Sequence, residues 1–218
     1  MSKKKISIPF IPDFENKPIE EINIDLSTLG EKTRIECLNW KKQYPYLPIS
    51  NVYIARNSTT LFIKYRVTGS MLKAIYSNDL DPVWKDSCVA FYCQLPESDT
   101  YMNFEFNCIG VCLASTRTVH DESVVYRTAE ELQQIIRYTT LNRRAFCEIE
   151  GLFTWEITVG IPFDLLGISD KKLPPKLLGN FYKCANDTNL IHFASWSPIH
   201  TPTPDFQRPE YFGELLFQ

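Results

Sequence analysis

Histidine and glycine are scarce in this chain of 218 residues, which has three of the first and eight of the second. The glycines are too scattered to cradle a phosphate, and no dinucleotide-binding, phosphate-loop or nucleophile-elbow signature occurs. No paired-histidine zinc peptidase motif occurs either. Cys184 and His192 lie on separate predicted strands without a recognisable third member, so the sequence gives no support for a thiol nucleophile. These absences exclude the enzyme classes that short motifs identify.

A basic surface and a long apolar run are also missing. The net charge is -3, and residues 3–5 form the only basic cluster, which is typical of a solvated tail. We therefore expect no nucleic-acid partner and no membrane span. The apolar residues 6–12 are too short and too broken by proline for a signal-peptide core. We expect a cytoplasmic location, unless the natural chain is longer and carries an export signal.

The seven cysteines include no CxxC pair, and the histidines offer no zinc-ligand spacing. Most of the cysteines lie in β-like apolar runs, which indicates small buried side chains in a reducing compartment. Calcium remains possible, because Asp79, Asp81 and Asp86 are oxygen ligands close to a loop, although their spacing matches no specific calcium motif.

About ten short alternating segments, separated by turn signals, predict an all-β fold, an antiparallel β-sandwich of the jelly-roll kind. Residues 21–26 are predicted as one of these strands, and residues 211–217 as a final edge strand. A capping box at residues 128–131 predicts one short helix that ends near Tyr138. We expect a single domain over residues 1–218, with residues 1–20 as an extended N-terminal arm.

Two tryptophans stand where predicted strands meet loops, Trp84 and Trp196. An exposed indole at such a position is costly in water unless a ligand stacks on it, although both could equally cap the ends of the core. A polar face follows on the strand at 101–109, where Tyr101, Asn103, Glu105 and Asn107 alternate with apolar residues. This face is either solvated or able to bind sugar hydroxyls.

Residues 84–91 (WKDSCVAF) resemble the WxDDxVEFF-type stretch of carbohydrate-binding modules of family nine. Other segments resemble that family in order along the chain, from about residue 50 to the end: 101–110, 155–163, 180–183, 195–198 and 205–213.

The resemblance implies a β-sandwich that binds a mono- or oligosaccharide without cleaving it. It implies a clamp of Trp84 and Trp196 around a sugar ring, with Asn107 as a polar partner and Glu105 and Asp86 as further ligand-binding candidates. The family's acidic residue six places after the first tryptophan is Ala90 here, so one hydroxyl acceptor is missing.

Three hypotheses follow. The first is non-catalytic carbohydrate binding, with carbohydrate catabolism as a possible role and no catalytic residue. The second is a carbohydrate-active hydrolase or its accessory subunit, in which Asp86 or Glu105 would act catalytically. The third is a protein-interaction module that has lost sugar binding and has a protein partner.

Overall fold

The computed structural model describes residues 3–121, 123–168 and 173–218. The strands and helices run in chain order as follows: β1 Lys5–Ile8, α1 Ile19–Leu29, β2 Glu31–Ile35, β3 Ile49–Arg56, β4 Thr60–Ala74, β5 Cys88–Gln94, β6 Thr100–Asn107, β7 Cys112–Thr118, β8 Val124–Tyr126, α2 Ala129–Gln133, β9 Ile136–Thr139, β10 Phe146–Pro162, β11 Lys176–Ala185, β12 His192–Ser195 and β13 Gly213–Phe217.

The strands form two sheets. An eight-stranded sheet has the order β1-β13-β11-β5-β6-β7-β8, with β12 added beside β11, and a five-stranded sheet has the order β2-β3-β4-β10-β9. Neighbouring strands are antiparallel except β1 and β13, which pair in parallel. This arrangement confirms the predicted all-β sandwich. It also places β13 between β1 and β11, so the last strand is not an edge strand.

Alternation along the strands builds the core between the sheets. Phe91 and Phe104 of the eight-stranded sheet and Ile63 and Trp155 of the five-stranded sheet belong to the same buried apolar cluster. Because side chains alternate across a strand, the neighbours of Phe91 and Phe104 lie on the opposite, outer face of the larger sheet. That outer face carries the candidate site.

The strand predicted at residues 21–26 is wrong, because these residues belong to α1. Read from Ile19, the apolar residues Ile19, Ile22 and Leu26 have the spacing of one helical face. Ile22 and Leu26 are buried, whereas Ile24 is 68% exposed. The period-two alternation was therefore coincidental, and the helix begins directly after Pro18, inside the predicted arm.

The capping box at Thr128 and Glu131 is confirmed, since each side chain bonds the other residue's backbone amide. The helix that it starts is shorter than predicted and ends at Gln133. Residues 136–139, which were predicted to continue this helix, instead form strand β9 and pair with β10. Within the described residues, no helix is both long and apolar enough to cross a membrane.

Candidate ligand pocket

A pocket of about 240 Å³ lies on the outer face of the eight-stranded sheet. Its floor consists of alternate residues from β5, β6 and β7, and its walls come from the loops that precede β5 and β12 and from the segment 204–207. The volume is just below the usual range of about 300–1,000 Å³ for small-molecule sites. The pocket therefore suits a small ligand.

Buried polar atoms without partners are concentrated in this pocket. Six buried side-chain nitrogen or oxygen atoms in the described residues have no hydrogen-bond partner, and four of them belong to side chains that line it. Such atoms are costly to leave unpaired, so a polar ligand that satisfied them would gain affinity. The four atoms are Asn103 Oδ1, Glu105 Oε2, Arg117 Nε and Asn186 Oδ1.

Glu105 has an unusual electrostatic environment. Burial raises the pKa of its carboxyl to about 7, although the Tyr92 hydroxyl and the positive charge of Arg117 act in the opposite direction. The Tyr92 hydroxyl donates a hydrogen bond to Oε1. Near neutral pH the second oxygen, Oε2, can therefore accept from a ligand hydroxyl when ionised or donate to an acceptor when protonated.

Gln207 ties the segment over the pocket to its floor. Its Oε1 accepts from the Tyr101 hydroxyl at 3.0 Å and from Asn103 Nδ2 at 2.9 Å. Its Nε2 donates to the Tyr92 hydroxyl at 3.3 Å. The Asn103 amide is thereby held with its Nδ2 engaged and its Oδ1 free. The amide of this lining side chain therefore has a fixed orientation and an unpaired, buried acceptor.

Aromatic side chains supply the apolar part of the lining. Trp84 is partly exposed and stands in a 3-10 turn at Val83–Lys85, and its carbonyl accepts from the amide of Asn186 at 3.0 Å. Phe193 and Phe206 also line the pocket. Phe206 is supported from behind by Tyr182, whose ring stacks on it at 4.2 Å.

The predicted clamp is wrong for Trp196. This side chain is completely buried in the core between the sheets, and its Nε1 donates to Thr33 Oγ1 at 2.8 Å. Its ring meets the edge of Phe181 at 5.6 Å. Trp196 therefore has a structural role, which was the alternative that the sequence left open for both tryptophans.

Asp86 and Asn107 also lie outside the pocket, so the prediction that they bind the ligand is wrong. Both are fully buried. Asp86 accepts from the amides of Ile75 and Tyr76 at 3.0 and 3.1 Å and from Asn107 Nδ2 at 3.0 Å. Through these contacts the carboxylate links the two residues that follow β4 to the end of β6. The carboxylate has no access to a substrate, so Asp86 is also wrong as a catalytic candidate.

The aspartates proposed for calcium are not brought together. Asp79 forms a two-pronged ion pair with Arg137, and Asp81 accepts from the amide of Asn78. With Asp86 engaged as described, the three carboxylates serve separate contacts. In the three described ranges, no group of three or more histidine, cysteine, aspartate or glutamate side chains could hold a metal ion.

The structure thus brings Trp84 and Glu105 together and adds residues that sequence reasoning did not select. Asn103 was on the polar face noted at 101–109, so alternation could have identified it. Gln207 lies in the segment 205–213, which resembled the family, but nothing in that segment indicated a ligand role. Arg117 and Asn186 had no local signal, because their positions in the pocket depend on long-range pairing.

Known proteins give an independent comparison. The sequence model of carbohydrate-binding family 9 matches residues 21–217. A crystal structure from Bacteroides uniformis, described as a candidate carbohydrate-binding protein, is 31% identical, covers 100% of both chains and has a TM-score of 0.93. No protein with a curated description matches the chain.

Two structures of a family 9 carbohydrate-binding module from Caldicellulosiruptor kristjanssonii, one in complex with glucose and one with cellotriose, are each 11% identical. They have TM-scores of 0.57 and 0.59, over 99% of this chain and 96% and 94% of theirs. At this level of identity they show a shared fold alone. Since the family model matches nearly the whole sequence, the chain belongs to carbohydrate-binding family 9.

Proposed function

We propose that this protein binds carbohydrate without cleaving it, in the pocket on the outer face of the eight-stranded sheet. The observation that carries the proposal is the grouping of four unpaired, buried polar atoms beside aromatic side chains in that pocket. Sugar rings have apolar faces and polar rims, so they match a lining of this kind. Family membership supports the same function.

The residues divide into two roles. Trp84 offers a partly exposed indole on which one sugar face stacks. Asn103 Oδ1, Glu105 Oε2 and Asn186 Oδ1 accept from sugar hydroxyls, while Arg117 donates. Phe193 and Phe206, in place of Trp196, supply the other aromatic surface. The missing acidic residue at Ala90 is offset by Glu105, which lies directly opposite it on β6.

Calorimetry on carbohydrates selected from a glycan array tests the proposal. We expect Asn103→Ala to lower the affinity of the best ligand about tenfold or more, because an oriented acceptor and the link to Gln207 are both lost. Asn51→Ala is the matched control, since Asn51 lies on β3 in the other sheet. Binding that is equally strong in both variants, or no binding by the unmodified protein to any glycan, would contradict the proposal.

A second candidate function is glycoside hydrolysis, and the carboxyls of the pocket favour it. Glu105 has a raised pKa suited to a general acid, and Asp205 is a second carboxyl in the lining. Release of reducing sugar by the unmodified protein, abolished in Glu105→Gln, would support hydrolysis. Intact glycans after prolonged incubation would rule it out for the glycans tested.

A further inference from the structure

Among the described residues that line the pocket, Arg117 is the only lysine, arginine or histidine. Its Nε is buried without a partner, and its guanidinium makes no hydrogen bond or ion pair with any described side chain. A buried part of a charged group without a partner is costly. The pocket lining therefore includes a partly buried cationic group that has no partner among the described residues.

Neither acid of the lining forms an ion pair with this guanidinium. Asp205 Oδ2 is paired with Arg208 Nε at 2.7 Å. Glu105 accepts from Tyr92 rather than from Arg117, and with a pKa of about 7 a large share of its carboxyls are uncharged near neutral pH. Both acids line the same pocket as Arg117, yet neither forms an ion pair with it.

Arg117 also lies at the junction of two depressions. The pocket shares Arg117, Asp205 and Gln207 with an adjoining, more open depression of about 560 Å³. The second depression adds Arg208 and His120, together with Asp121 and Glu210. A group that projects from a sugar ring in the first pocket toward the second would therefore pass the guanidinium.

A guanidinium matches an anion that presents two oxygens side by side. Nε and one terminal nitrogen form two parallel hydrogen bonds with a carboxylate, whereas a single hydroxyl accepts from only one of them at a time. The carboxylate of a uronic acid presents two such oxygens in one plane and is carried by the sugar ring itself, unlike an added phosphate or sulfate ester. We propose that the ligand is an acidic sugar, a hexuronic acid alone or within a glycan, whose carboxylate binds Arg117. This inference rests on the proposed function and names the ligand class of the same pocket.

Titration calorimetry with matched ligand pairs tests it. The pairs are D-glucuronic acid with D-glucose and D-galacturonic acid with D-galactose, together with the neutral methyl ester of each uronic acid. The work is done at about pH 6, where Glu105 mostly keeps its proton and the uronate is ionised. The protein is used unmodified, as Arg117→Gln, as Arg117→Lys, and as Arg34→Gln, a control that removes an exposed charge from β2 in the other sheet.

We expect one uronate to bind the unmodified protein at least about tenfold more tightly than its hexose and its methyl ester. The ratio should fall to about one in Arg117→Gln, be intermediate in Arg117→Lys and stay unchanged in Arg34→Gln. A hexose that binds as tightly as its uronate, or a ratio that survives Arg117→Gln, would overturn the inference and leave the proposed function standing. If the unmodified protein binds no carbohydrate at all, the proposed function fails and the inference fails with it.

Discussion

Glu105 combines three properties within one side chain: nearly complete burial, a hydrogen bond from Tyr92 and a second oxygen that is buried without a partner. Burial without a full set of partners makes the charged form expensive, which is why its pKa stands near 7 instead of its usual 4.5. The same cost would be relieved by a ligand that donates to Oε2. Under the proposed function, this side chain links stability, pH and ligand binding.

A pH dependence of stability follows from this. Between about pH 4.5 and 7 the unfolded chain has released the Glu105 proton while the folded chain still holds it, so stability falls as the pH rises through this window. The loss should total about 3 kcal/mol and level off above pH 7. Glu105→Gln removes the titration. We expect urea unfolding at several pH values to show that the stability of the variant rises relative to that of the unmodified protein as the pH increases. Parallel plots of unfolding free energy against pH would contradict the raised pKa of Glu105.

The two tryptophans named from the sequence should respond oppositely to substitution. Trp84→Ala should weaken carbohydrate binding about tenfold, since one stacked aromatic contact contributes on the order of 1–2 kcal/mol. Trp196→Ala should instead lower the free energy of unfolding by about 3–5 kcal/mol, because a large core side chain is lost.

Trp196→Phe, which keeps most of the apolar volume, provides the folded comparison for affinity. Calorimetry should show it binding the ligand like the unmodified protein. If Trp196→Phe weakened binding as much as Trp84→Ala, the structural role assigned to Trp196 would be refuted.

Sequence alone could place both indoles at strand ends but could not say which one was exposed. That distinction depends on what covers each position. Trp196 is packed against Phe181 on the neighbouring strand β11 and bonded to Thr33, which lies 163 residues away in sequence. Arg117 illustrates the same limit, because only the pairing of β6 with β7 places it beside Asn103 and Glu105.

At the scale of elements, Asp86 and Asn107 join the end of β4 to β6 beside the turn that carries Trp84. The carboxylate accepts from two amides and from Asn107 Nδ2, and Asn107 Oδ1 in turn accepts from the amide of Val111 at 3.0 Å. A buried acceptor with three donors fixes the local backbone strongly. The position of Trp84 depends indirectly on this network.

Asp86→Ala should therefore lower the free energy of unfolding by about 3 kcal/mol or more, because three buried donors lose their acceptor. Thermal or urea unfolding measures the loss, and Asp81→Ala, in the neighbouring exposed turn, is the control with a small expected effect. An Asp86→Ala protein as stable as the control variant would show that the network contributes little.

The strands were more predictable than the helices. Alternation identified β3, β4 and β6 because one face of each meets the core, and Asn57 and Ser58 marked the β3–β4 hairpin. Helix α1 was missed because Ile22, Ile24 and Leu26 also alternate as a strand does, and only the packing of Ile22 and Leu26 with Tyr53 and Phe62 decides between the two.

At the scale of the whole molecule, the two faces of the eight-stranded sheet have different surroundings. One face of the eight-stranded sheet packs on the core, and the other carries an aromatic cluster and the pocket, covered by loops that include residues 204–207. The sequence could not predict the strand order that brings β5, β6, β7 and β11 side by side, because that order depends on long-range pairing. Alternation and turn signals predicted the fold class and the family resemblance implied the same one, whereas the pocket composition required the structure.

The most direct test of the central claim is a tryptophan fluorescence titration with a panel of neutral hexoses, hexuronic acids and cello-oligosaccharides. Trp84 is the partly exposed tryptophan of the four, whereas Trp40, Trp155 and Trp196 are 5%, 2% and 0% exposed. We predict a saturable change in emission with at least one sugar, and loss of that change in Trp84→Phe. A flat response across the panel, or a saturable change that persists in Trp84→Phe, would contradict carbohydrate binding at this pocket.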